Sequence, residues 1–266
     1  MIIIFYLALG AIAGFMAGLF GIGGGLIIVP ALVYAFTLQG LAPEVLTHMA
    51  VATSLATIVV TSVSSVLAHH NARAIQWNTF TVIAPGILLG AWLGAQIAGL
   101  LSGATLRILL GFFILIIAAQ MGSGVKASPQ REVPQGLGLS FVGLFIGGIS
   151  ALFGIGGGSL TVPFLSYCNV RIQSAVATSA AVGLPIAVAG ALGSIFAGLD
   201  NSYLPEKSIG YVYGPAFLGI IAASALMAPI GAKLAHKLPA DKLKKLFAVF
   251  LVLIGIEFII QSWSSL

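Results

Sequence analysis

The chain has 266 residues, of which 59% are hydrophobic and 6% charged, with a mean hydropathy of +1.15. A soluble domain carries about 25% charged residues, so an ordinary water-soluble fold is excluded and an all-α polytopic membrane protein is expected. The formal charge of +5 does not point to nucleic acid. Its basic residues gather in connecting segments, where they set membrane topology. The lone Cys168 excludes an intrachain disulfide and a cysteine metal cluster.

The first apolar stretch, 2–20, has no basic residue before it and matches residues 134–153, which are internal. It is therefore expected to stay as structure rather than to be cleaved as a signal. It runs into Leu19-Phe20-Gly21-Ile22-Gly23-Gly24-Gly25, and Pro30 follows. Further apolar stretches cover 22–38, 46–70, 79–101 and 105–121, and a polar linker with Lys126, Arg131 and Glu132 occupies 122–136. The series then begins again, over 137–153, 155–168, 174–199, 209–235 and 245–262. The same seven residues return at 152–158, with Pro163 after them. Ala50–Ser54 returns at 175–179, Gly94-Ala95 as Gly231-Ala232, and Leu106 as Leu243. Ordered echoes of this kind mark an internal duplication. They divide the chain into a first transmembrane repeat, 1–121, a cytoplasmic linker, 122–136, and a second transmembrane repeat, 137–266. The first half has extra residues around Gln39–Val45, which are expected to form an external loop.

An odd number of segments per half makes the second half enter the membrane in the opposite sense to the first. With the N-terminus outside, Arg73, Lys126, Arg131, Arg171, Lys237, Lys242, Lys244 and Lys245 fall inside. Glu44, Arg107, Asp200, Glu206 and Lys207 fall outside. The basic excess is thus cytoplasmic, with both termini outside an inner, cytoplasmic membrane. A full crossing needs about 20 residues, and the stretches after the glycine runs, which end before Gln39 and Asn169, are shorter. Each run is expected to be the tip of a broken or re-entrant hairpin, giving inverted repeats of about five hydrophobic segments and about eight to ten membrane segments in all.

Consecutive glycines are poor helix interior, permit positive φ and let another atom approach the backbone. Their N–H groups cannot face lipid. At a helix start they point one way and make an anion site without a buried lysine. Gly23, Gly24 and Gly25, with Gly156, Gly157 and Gly158, are therefore the candidate substrate site. Helix packing is the alternative, and it is the reading given to the ridges Gly10-Gly14-Gly18 and Gly86-Gly90-Gly94. The run is neither a dinucleotide fingerprint, because Leu26 stands where that pattern needs glycine, nor a phosphate-binding P-loop.

Thr53, Ser54, Thr178 and Ser179 form a second matched set. Their hydroxyls either donate to a bound anion or bond back to their own helix. Glu257, inside the last apolar stretch, is a candidate coupling group, because an intramembrane carboxylate is costly; reach to interfacial water is its alternative. Lys233 and the matched Gln96, together with His48, are candidates for gating or for lining the vestibules. Lys233 can equally snorkel as an anchor, and His48 can be an ordinary interface residue. His69, His70 and Arg73 lack the ligand number of a metal site. No metal and no cofactor are expected.

The twin Leu-Phe-Gly-Ile-Gly-Gly-Gly elements with their prolines, the repeated Ala-Val-Ala-Thr-Ser and the overall size and hydropathy resemble the sulfite exporter TauE/SafE family of membrane permeases. The resemblance covers essentially the whole chain. It implies a secondary transporter moving sulfite, an organosulfonate or a related sulfur anion across the cytoplasmic membrane. An anion channel of the same build and an integral membrane enzyme are the alternatives, and no clustered acid, base or metal constellation supports the enzyme. The expected partners are the anion and the lipid bilayer, and extended apolar faces suit either lipid or a second subunit in a homodimer.

Overall fold

The computed structural model describes residues 2–20, 24–123, 132–235 and 240–263. Five helices precede the linker: α1 (Ile2–Phe20), α2 (Gly25–Leu38), α3 (Pro43–Asn71), α4 (Trp77–Leu100) and α5 (Gly103–Gly122). After it come α6 (Leu137–Leu152), α7 (Gly158–Tyr167) and α8 (Ile172–Gly198). A short antiparallel pair, β1 (Ser208–Ile209) and β2 (Val212–Tyr213), leads into α9 (Gly214–Ala235) and α10 (Ala240–Trp263). The helices α3, α4, α5 and α8 are long and apolar enough to cross a bilayer. Leu100, Leu137, Phe141, Leu218 and Leu226 are exposed on the outside, as expected where the solvent is lipid and each helix satisfies its own backbone.

Helix ends follow local chemistry. Pro43 opens α3, where its missing N–H costs nothing. Ser102 caps α5 by accepting from the Thr105 N–H at 3.1 Å. α2 ends at Gly40, with φ +69°, and α7 at Asn169, with φ +61°. The closing bonds are alike, Leu41 N–H to Phe36 O at 3.1 Å and Val170 N–H to Leu165 O at 3.0 Å, as in a left-handed helix cap. This corrects the expected loop over Gln39–Val45. α2 has 14 residues and α7 has 10, and α3 starts about one turn further ahead of the repeated Ala-Val-Ala-Thr-Ser than α8 does. The extra residues are thus helical turns on either side of a tight turn that both halves share.

The hairpin at Ser208–Tyr213 is a second departure, since 209–235 reads as one apolar stretch. Gly210, with φ +51°, supplies the first central residue of its two-residue turn, a position that demands positive φ. Arg73, at the matched place before α4, has φ +53°.

The halves interleave. α1 packs on α9, α6 on α4, α10 on α5 and α8 on α3. Glycine ridges make the two closest of these approaches. A Cβ on Gly10 would meet the Ile220 carbonyl, and one on Gly14 the Ser224 backbone. Gly86 and Gly90 rest on the Ser140 and Leu144 carbonyls, and Gly143 and Gly147 on those of Ile83 and Ile87. These are small-residue contacts of the kind membrane helices use. Gln39, just past α2, donates through Nε2 to the Tyr6 hydroxyl at 2.7 Å, so α2 returns toward the start of α1.

Candidate functional site

Both glycine runs fall between helices, α1 to α2 and α6 to α7. Gly24 and Gly25 are buried, as is every residue from Phe153 to Gly157; Gly23 lies outside the described residues. The two breaks meet. A Cβ on Gly25 would stand 2.5 Å from the Gly154 carbonyl oxygen and 2.9 Å from Ile155 Cα. Ser54 Oγ on α3 donates to that same carbonyl at 2.8 Å. Identical sequence does not give identical backbone. Gly24 is left-handed, with φ 73° and ψ −21°, whereas the matched Gly157 is right-handed, with φ −56° and ψ −17°.

The start of α7 is the unusual feature. The Gly154 and Ile155 N–H groups are used, on Ala151 O at 3.3 Å and Ser150 O at 2.9 Å. Thr161 N–H then makes the first helical bond, to Gly157 O at 2.8 Å. Between them, the N–H groups of Gly156, Gly157, Gly158, Ser159 and Leu160 meet no acceptor among the described residues. No side chain caps the helix. Helix starts normally satisfy these donors with a cap or with water, and a buried polar group left unpaired is costly. The donors converge with α3 and α8. A Cβ on Gly157 would lie 3.2 Å from each of Ile186 Cδ1, Ser179 O and Val182 Cγ1. A Cβ on Gly183 would lie 3.5 Å from Ser62 Oγ and 3.7 Å from Gly157 N. Among the described residues, the buried hydroxyls of Ser159 and Ser179 have no hydrogen-bond partner. The arrangement offers aligned N–H and O–H donors, which suit an acceptor-rich, negatively charged group.

The other expected residues are placed differently. Thr53 Oγ1 accepts the Tyr213 N–H at 3.0 Å, and Thr178 Oγ1 accepts the Gln76 N–H at 3.0 Å. Each threonine so secures the residue immediately before the fourth helix of the other half. Gln96 Nε2 donates to Gly193 O at 3.0 Å, tying α4 to α8. His48 Nε2 lies 3.0 Å from Ala98 O and 3.1 Å from Leu101 O, at the end of α4, and its ring stacks on Tyr211 at 5.0 Å. Glu257 is exposed on α10 and accepts from Gln261 Nε2 at 2.8 Å. The Lys233 side chain lies outside the described residues. Gly24, Gly25, Ser54, Gly156, Gly157, Gly158 and Ser179 therefore come together, while Gln96, His48 and Glu257 make their contacts elsewhere. Ser62, Gly183 and Ser159 were missed. Ser159 had a legible signal, because it stands where the first copy has Leu26.

The family model described as Sulfite exporter TauE/SafE matches residues 6–258, which takes in both breaks. The chain belongs to this family. A chain of Haemophilus influenzae called a probable membrane transporter protein is 38% identical over 261 residues, covering 97% of this chain and 98% of its own. The probable membrane transporter protein YunE of Bacillus subtilis is 26% identical, over 95% of this chain and 96% of its own. A probable membrane transporter protein of Methanocaldococcus jannaschii is 28% identical, over 93% and 91%. No solved structure matches. Family membership together with the apolar helices makes this TauE/SafE chain a multi-pass membrane protein.

Proposed function

We propose that this chain is a secondary transporter, a permease of the cytoplasmic membrane that moves a small sulfur-containing anion such as sulfite or an organosulfonate by alternating access. The observation that carries the reading is the uncapped, buried start of α7, with five successive N–H groups and two buried serine hydroxyls that meet no partner among the described residues. In a water-poor interior such donors call for a bound acceptor, and negative charge is favoured at a helix start. The sulfur chemistry is drawn from the family.

The two halves act as inverted repeats, 1–121 and 137–266, joined by a cytoplasmic linker at 122–136, with both termini outside. The return of α2 toward α1 supports a hairpin that enters and leaves at one face. The reciprocal partners of Thr53 and Thr178 support a two-fold relation between halves. Because α1 packs on α9 and α4 on α6, neither half moves as a block. The moving unit takes helices from both, around a site near the bilayer middle.

Two measurements test this. Purified protein in liposomes gives sulfite flux that saturates and is accelerated by sulfite on the far side; flux linear to high concentration makes it a channel instead. Single cysteines replacing Lys126 and Lys242 are labelled from the cytoplasm, and one replacing Asp200 from outside. Labelling of 126 and 242 from opposite faces would refute the inverted topology.

A further inference from the structure

The two breaks share seven residues but not their polar surroundings. At the first, α2 begins against the Gly154 carbonyl oxygen, which also takes the Ser54 hydroxyl. The Gly154 carbonyl thus engages the one hydroxyl that the matched set supplies at this break. At the second, the residue matched to Ser54 is Ser179, 1% exposed, and its hydroxyl has no partner among the described residues; Gly21, the match of Gly154, lies outside them. The residues that follow the glycines differ too. Leu26 and Ile28 in the first copy stand where the second has Ser159 and Thr161. Both of those hydroxyls are buried, Ser159 at 7% and Thr161 at 0% exposure, and have no partner among the described residues. Among the described residues, the first break is apolar beyond its glycines and has its serine hydroxyl engaged, whereas the second carries three buried hydroxyls with no partner.

Resting on the transport reading, we infer that the chain holds one anion at a time, at the second break alone, and that Ser159 and Ser179 select oxyanions over halides. The main-chain donors of Gly156–Ser159 attract any anion. The two hydroxyls add donors at fixed positions, which only an ion with several acceptor oxygens can engage together. Chloride presents one centre and leaves part of the set unpaired, and unpaired buried donors are where discrimination arises.

The test is calorimetric titration of the purified full chain with sulfite, methanesulfonate and chloride. Wild type is expected to bind one equivalent of either sulfur oxyanion and to bind chloride far more weakly. Ser159→Ala and Ser179→Ala each lose about tenfold in oxyanion affinity, in line with a hydrogen bond to a charged group, and lose little for chloride. Ser159→Thr keeps the hydroxyl and retains affinity, which separates loss of a donor from misfolding. Leu26→Ser leaves the stoichiometry at one, because Ser54 stays engaged with the Gly154 carbonyl and Ile28 still stands where the second break has Thr161. Two equivalents bound by wild type, or alanine variants within twofold of it for oxyanions, would overturn the assignment while saturable flux left the transport reading standing. Absence of both oxyanion binding and flux in wild type would remove the two together.

Discussion

Gly157→Val and Gly24→Val are each expected to reduce anion flux below a tenth of wild type while the protein still inserts. The reasons differ. Gly157 has an ordinary helical backbone, so valine is not excluded by φ. Its Cβ, however, would already stand 3.2 Å from Ile186 Cδ1, Ser179 O and Val182 Cγ1. Two further methyls overfill that space, at about 1–3 kcal/mol, and cover the unpaired N–H groups. Gly24 is left-handed, with φ 73°. There an L-residue costs about 1–2 kcal/mol, and a β-branched side chain fits worst. The relaxed backbone no longer seats Gly25 against Gly154. Neither cost is enough to keep helices this extensively packed from assembling, so loss of function without loss of protein is the signature. Flux in proteoliposomes, normalised to inserted protein, measures it; near-normal flux in both variants removes the glycine breaks from the site. Gly157→Ala, with contacts tight but no added branches, is expected to retain partial activity.

Much of this architecture was readable from the chain because repetition is a long-range signal carried by local words. The paired seven-residue runs announced two helix breaks, and both fall between helices. The ridges Gly10-Gly14 and Gly86-Gly90-Gly94 announced close helix contacts, and each of these glycines abuts a neighbouring backbone. What could not be read depends on tertiary contact. Gly24 and Gly157 have the same immediate neighbours in sequence and opposite backbone hands. The hydroxyls of Thr53 and Thr178 are accounted for by backbone N–H groups far along the chain, at Tyr213 and Gln76. The added turns of α2 and α3 looked like a loop because an insertion in steps of about four residues preserves a helix face without marking the sequence as helical. The small hairpin at Ser208–Tyr213 was hidden because strands this short leave no period to detect.

Gly90→Leu is expected to have the largest effect on stability, and it tests whether the interleaved pairing is as close as described. A Cβ at Gly90 would fall on the Leu144 carbonyl, with Leu144 Cα only 2.8 Å away. Gly86 stands in the same relation to Ser140, and Gly147 rests on Ile87 from the other side. The obstruction is backbone, so no rotamer change relieves it. α4 and α6 must separate along the ridge, losing dispersion contacts on both faces, in a setting where packing rather than water drives helix association. Overpacking of this kind costs about 1–3 kcal/mol and sometimes more. The expected result is a clear fall in the thermal midpoint of the detergent-purified protein, and a fall in its yield. Leu144→Ala in the same chain does not rescue it, since the carbonyl remains. Gly138→Ala, whose Cβ would meet only Pro134 Cβ at 3.6 Å, leaves the midpoint unchanged. Because α6 also carries the second glycine break into the interior, Gly90→Leu should lose oxyanion binding together with stability, whereas Gly157→Val loses flux with a smaller fall in the midpoint, since two of its three contacts are side-chain ends that can shift. A Gly90→Leu protein as stable as wild type would mean that α4 and α6 do not meet through these glycines, and that the cross-half contact holding the second break is made elsewhere.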